Sequence, residues 1–91
     1  MLEKQIEQAL VRRVKSLDGM AEKFTSPNRR SVPDRLVTLP GGRIVFIECK
    51  RPGGKVTEAQ ARDHQRRRDL GCEVWVIDSI EMIEKFIMEV G

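Results

Sequence analysis

Residues 31–50, Ser31-Val32-Pro33-Asp34-Arg35-Leu36-Val37-Thr38-Leu39-Pro40-Gly41-Gly42-Arg43-Ile44-Val45-Phe46-Ile47-Glu48-Cys49-Lys50, decide the fold of this chain. Pro33 fixes the backbone entering a strand-forming run, Asp34 to Leu39. Pro40-Gly41-Gly42 is a tight reversal, and Arg43 to Lys50 is the most strand-like segment of the sequence. The two runs are therefore expected to pair as an antiparallel hairpin. Four consecutive apolar residues, Ile44 to Ile47, mark a central strand covered on both faces. Its carboxyl end turns abruptly polar at Glu48 and Lys50.

Upstream, Leu2, Ile6, Leu10, Val14 and Leu17 recur every three or four residues and predict a helix with one apolar stripe. Asp18-Gly19 ends it, with Gly19 expected in the left-handed conformation. Met20 to Thr25 reads as a first strand, and Ser26 to Ser31 as a basic turn. Downstream, Pro52-Gly53-Gly54 breaks the chain. Thr57-Glu58-Ala59-Gln60 then has the pattern of a capping box that opens a helix running to about Leu70. Asp63 and Arg67 stand in that helix where larger apolar side chains are expected. Cys72 to Ile77 is a further strand, and Ser79 caps a last helix with Ile80, Ile83, Ile87 and Val90 on one face. The order is helix, three strands, helix, strand, helix. No repeat or linker interrupts it, so residues 1–91 read as a single α/β domain.

A domain of 91 residues buries only roughly 60 to 65% of its unfolded surface, so the core is thin. Apolar residues at 40% and charged residues at 34% fit a globular protein. Without a membrane-length apolar run or a secretory pattern, a cytoplasmic location is expected. Cys49 and Cys72 have no neighbouring ligands for zinc, and His64 and Trp75 no partners for a nucleophilic triad. Hydrolysis by Ser or Cys is thereby disfavoured. The net charge of +3 hides an asymmetry: residues 12–68 hold fifteen Lys or Arg against six Asp or Glu, a balance of +9, leaving −6 in the rest. A basic middle suits a polyanion as partner. With three Phe, one Trp and no Tyr, stacking on single-stranded bases is disfavoured.

Glu48 and Lys50 lie two apart on a strand and project from the same face, while Cys49 points to the other. Counting back from the turn, Asp34 falls opposite the Glu48–Lys50 end of its partner strand. Two carboxylates and an ammonium then share one patch. Paired carboxylates are hard oxygen ligands suited to Mg2+, the ion that phosphodiester hydrolysis most often uses, and a lysine beside them suits the charge of the transition state. The alternative is an ordinary surface ion pair of little energetic weight.

Pro33-Asp34 followed by Glu48-Cys49-Lys50, with a helix before and a helix and strand after, resembles the PD-(D/E)XK nucleases. It is similar in particular to their VRR-NUC family, over Glu3 to about Ile83. Val11-Arg12-Arg13 even carries the family's letters, and Ser-Val-Pro-Asp-Arg-Leu at 31–36 adds specificity. The resemblance implies a restriction-endonuclease-like core, with a central mixed sheet flanked by helices. It also implies metal binding by Asp34, Glu48 and the Cys49 carbonyl, with Mg2+, or Mn2+ in its place, as the ion, and Lys50 assisting the attacking water. It calls for an acid on the first helix, matched by Glu7 with Glu3 as a rival, and a glutamine on the second, matched by Gln60. A glutamine there can equally complete the capping box. His64, one turn on, is assigned to packing or DNA contact. Ser31-Val32 departs from the glycine that usually precedes the Pro-Asp pair.

Arg29, Arg30, Arg51, Lys55, Arg62 and Arg66, with Arg67 and Arg68, are the expected phosphate contacts. Stand-alone domains of this kind resemble phage or bacterial homodimers acting on branched DNA such as four-way junctions. The rival expectations are a nicking or flap nuclease that takes its selectivity from a partner, and a DNA-binding module that does not cut. Intact Asp34, Glu48 and Lys50 argue against the last.

Overall fold

The hairpin forms as expected and the rest of the sheet grows from it. In the computed structural model, which describes residues 1–91, β2 (Arg35–Leu39) and β3 (Arg43–Cys49) pair antiparallel, with Arg35 opposite Ile47 and Leu39 opposite Arg43. The turn works because Pro40 is followed by Gly41 and Gly42 at φ of 88° and 84°, and the Gly42 N–H donates to the Leu39 carbonyl. β1 (Met20–Lys23) joins β2 antiparallel, and β4 (Glu73–Ile77) joins β3 parallel. The sheet is therefore four-stranded and mixed, in the order β1-β2-β3-β4.

Alternation along the strands separates two faces. Val37, Leu39, Val45, Ile47, Cys49 and Ile77 turn to one side, where they meet α1 (Glu3–Ser16) and α3 (Ile80–Val90). The stripe of α1 is buried through Ile6, Ala9, Leu10 and Val14, and that of α3 through Ile83, Phe86 and Ile87. Phe86 is fully buried and meets Trp75 edge to face, 5.1 Å between centroids. No helix is long and apolar enough to cross a membrane.

The parallel step from β3 to β4 requires a crossover, and α2 (Glu58–Asp69) supplies it on the opposite face. Here the charged residues that break the apolar pattern of α2 find their reason. The Arg67 guanidinium stacks 4.7 Å from the Phe46 ring and 5.4 Å from Phe24. Its Nε donates to Asp63 Oδ2 at 2.8 Å, and Asp63 Oδ1 also meets Arg29 NH2 at 3.1 Å. Asp63 is only 2% exposed. A carboxylate so buried persists because two guanidiniums offset its charge. A polar clasp thus replaces apolar packing and ties the 26–31 loop to α2. Arg67 is consequently turned inward, and Arg68 donates to the Val74 carbonyl at 3.0 Å.

The end of α1 departs from expectation. The left-handed residue is Asp18, φ 63°, which an Asp tolerates. Gly19 is needed for a different reason, since a Cβ there would lie 2.9 Å from the Thr38 carbonyl oxygen and 3.0 Å from Val14 Cγ1. That close approach lets β1 start directly under the helix it follows.

Candidate active site

Asp34 sits one residue before β2, and the hairpin register continued by one step sets it opposite Glu48. Its Oδ2 accepts a hydrogen bond from the Cys49 N–H at 2.9 Å, which holds the carboxylate against the end of β3. Glu48 and Lys50 project from the α2 face of that same end. Glu48 is 2% exposed, and Lys50 Nζ stands 3.7 Å from its Oε2.

α2 closes the site from above. Thr57 Oγ1 accepts from the Gln60 backbone N–H at 3.1 Å, and Gln60 Oε1 accepts from the Thr57 N–H at 2.9 Å. Because the amide oxygen is taken by the cap, the amide nitrogen faces the sheet, and Nε2 donates to Glu48 Oε2 at 3.4 Å. Gln60 therefore caps the helix and contacts Glu48 at once. His64 follows one turn later, 1% exposed, with Nε2 3.8 Å from Glu48 Oε1.

The electrostatics follow from this crowding. Burial pushes the Glu48 carboxyl up to about 8, and hydrogen bonding and repulsion from Asp34 push in the same direction. Lys50 opposes the shift and Glu3 adds to it. Burial, followed by the neighbouring Arg68, lowers His64 from its ordinary value and keeps the ring neutral near pH 7. Two acids thus compete for one small space, with Glu48 Oε1 buried and lacking a partner. A divalent cation fits this donor set: two hard carboxylate groups held in one small space would ligate it, and it would relieve their repulsion. No group of three or more His, Cys, Asp or Glu side chains converges on one point. The ion's other ligands would come from a main-chain carbonyl, water and phosphate.

Beyond the site lies an open basic cleft of about 630 Å³ between the 26–31 loop and α2, lined by Arg29, Arg30, Ser31, Arg62 and Arg66 among others. Arg29 is partly neutralised by Asp63, whereas Arg30, Arg62 and Arg66 take part in no ion pair.

The chain is similar to known proteins. One is named "Putative nuclease p44", from Acyrthosiphon pisum secondary endosymbiont phage 1. It is 52% identical over 80 residues, which is 88% of this chain and 86% of its own length. Another is a solved structure described as "VRR_NUC domain", at 32% identity and a TM-score of 0.91, covering 98% of this chain and 97% of that one. The chain belongs to the VRR-NUC nuclease family. No family model matches it.

Of the residues expected at a VRR-NUC site, the fold brings Asp34, Glu48, Lys50 and Gln60 together, with Cys49 supplying main chain between the acids. Glu7 is paired with Arg35. Its Oε1 receives the Arg35 Nε at 2.8 Å, and Arg35 also donates to the Ala21 carbonyl at 3.0 Å. Of the two helix acids, Glu3 is the one whose charge acts on Glu48, while Glu7 acts on Cys49. Arg35 was a partner that sequence reasoning missed. The signal was present: alternation puts it on the α1 face, opposite in sense to Asp34, where the acid at the edge of the α1 stripe is Glu7. Arg51 and Lys55 are exposed in the loop after β3 and do not line the basic cleft. Arg67 is engaged with the sheet through its stack on Phe46, and Arg68, though exposed, donates to the Val74 carbonyl.

Proposed function

We propose that this VRR-NUC protein is a metal-dependent endonuclease that hydrolyses DNA phosphodiester bonds, acting as a homodimer on branched DNA such as four-way junctions. The observation that carries the catalytic part is the meeting of the Asp34 and Glu48 carboxylates at the end of β3, with Lys50 on the same face. Asp34, Glu48 and the Cys49 carbonyl would hold Mg2+, or Mn2+ in its place. When bound, the ion would offset charge on the scissile phosphate and acidify the attacking water. Lys50 stands close by, and its ammonium stabilises the extra negative charge of the transition state. Gln60 holds one oxygen of the Glu48 carboxylate through its Nε2–H. Arg30, Arg62 and Arg66, with Arg29, bind the strand backbone without reading its bases.

The branched substrate and the homodimer rest on a geometric argument. The molecule measures 32 × 31 × 22 Å, so one protomer covers about one turn of duplex, ~34 Å, and carries one site. Paired cuts on a junction call for a second site related by two-fold symmetry. The free edge of β4, with Met88 on α3 84% exposed, is the candidate pairing surface. The test is cleavage of a linear duplex, a flap and a four-way junction, each with and without Mg2+. Mg2+-dependent paired incisions near the branch, faster than on linear DNA, are expected. Equal rates on all three substrates would refute the junction preference, and no cutting of any would refute the nuclease.

A further inference from the structure

Two buried side-chain polar atoms lack a hydrogen-bond partner, Glu48 Oε1 and His64 Nε2, and they face each other at 3.8 Å. That separation is too long for a hydrogen bond and exceeds an ordinary one by less than about 1 Å. A buried polar atom left without a partner is costly, and native folds rarely leave two side by side unless a function uses them. The geometry around them is directional. Gln60 and His64 stand one turn apart on α2 and address the two oxygens of a single carboxylate, Gln60 Nε2 at Oε2 and His64 Nε2 at Oε1. At 1% exposure His64 reaches no substrate. Packing alone would be served as well by leucine, which has no nitrogen to leave unpaired.

We infer that His64 is a positioning residue for Glu48: its Nε2–H donates to Glu48 Oε1 when a divalent cation occupies the Asp34–Glu48 site, and fixes the plane in which the carboxylate meets the ion. This rests on the reading that the two acids hold a cation. Gln60 and Lys50 both address Oε2, whereas a donor on Oε1 as well defines a single orientation. An imidazole that carries its proton on Nε2 supplies the donor. Residues that orient a metal ligand from behind typically carry 10- to 100-fold in metal affinity. As one support among several, His64 accounts for the lower end of that range, about tenfold.

The experiment titrates Mn2+ into the whole chain without DNA, followed by electron paramagnetic resonance, for the wild type, His64→Leu, His64→Gln and His64→Asn. Thermal melts and metal-free DNA binding are recorded alongside. His64→Leu is expected to weaken Mn2+ binding about tenfold while DNA binding is unchanged. In His64→Gln the longer amide carries an N–H to the same place, so affinity returns to within about threefold of wild type; the shorter amide of His64→Asn does not restore it. A folded His64→Leu that binds Mn2+ like the wild type would overturn the inference. If His64→Leu gives no cooperative melt, the glutamine and asparagine variants decide, and equal affinities would overturn it. A wild type that binds no Mn2+ refutes the metal reading and this inference with it. A wild type that binds Mn2+ but cuts no DNA, with His64→Leu still weakened, refutes the nuclease and leaves the inference standing.

Discussion

Replacing Asp63 by alanine removes the centre of the clasp between α2, the sheet and the 26–31 loop, and the structure sets the size of the loss. Asp63 is 2% exposed and meets Arg67 at 2.8 Å and Arg29 at 3.1 Å; the arginine side chains are 19% and 49% exposed. Breaking a buried pair by removing one partner costs about 3–5 kcal/mol. Water reaches Arg67 in part, and Arg67 keeps its stack on Phe24 and Phe46, so the low end applies. The half-exposed Arg29 contact adds at most ~1 kcal/mol. The expected destabilisation is about 3 kcal/mol, which at ~4–8 °C per kcal/mol for a domain of this size lowers Tm by roughly 12–24 °C. Thermal melts and urea unfolding of Asp63→Ala measure it directly. The double variant Asp63→Leu with Arg67→Met should regain most of the loss, since apolar residues of similar volume replace buried ion pairs without penalty. DNA affinity should stay low in both, because the loop that carries Arg29 and Arg30 is released from α2. A Tm shift below ~4 °C for Asp63→Ala would mean that the clasp does not hold the fold together, and the account of α2 would be wrong.

Asp34→Ala and Glu48→Ala should each abolish both Mg2+-dependent cleavage and metal binding. Lys50→Ala should lose cleavage at more than ~100-fold while keeping the metal, because an ammonium ligates no cation; Mn2+ titration beside a cleavage assay separates the two outcomes. Without metal, the folded protein holds the Glu48 proton more tightly than the unfolded chain does, between the ordinary 4.5 and about 8. Since the folded state binds more protons across that window, stability measured by urea unfolding should fall as pH rises through it, and saturating Mg2+ should flatten the fall. Neutralising Arg62 and Arg66 together should weaken binding to all duplexes alike and flatten the log–log salt slope by up to ~2, read from fluorescence titrations. Sedimentation should report about twice the 10.5 kDa chain mass, and a monomer at assay concentrations would remove the two-fold argument for junctions.

Much of the architecture is legible in the chain because its signals are local. The α1 stripe, the Pro40-Gly41-Gly42 reversal, the Thr57 and Ser79 caps and the apolar run of β3 each act within a few residues, and each element forms within two or three residues of its expected bounds. The mixed sheet agrees with the resemblance, and β3 is central as its apolar run predicts. Ile44 is 44% exposed, because cover from α2 begins only further along the strand. The hard cases were charged residues inside α2, where a pattern of apolar spacing does not register an arginine that stacks on two phenylalanines.

The sequence by itself determined that Asp34, Glu48 and Lys50 meet at one end of the hairpin. An antiparallel register runs back from its turn by simple counting, and a strand's period of two puts Glu48 and Lys50 on one face whatever surrounds them. Only the tertiary structure decided which helix acid bears on Glu48, that Arg35 holds Glu7, that Arg67 turns inward while Arg62 and Arg66 stay open, and that His64 faces Glu48 Oε1. Those outcomes depend on how each helix is rotated and seated over the sheet. That seating is set by the summed packing of residues far apart in the chain, which no local spacing encodes.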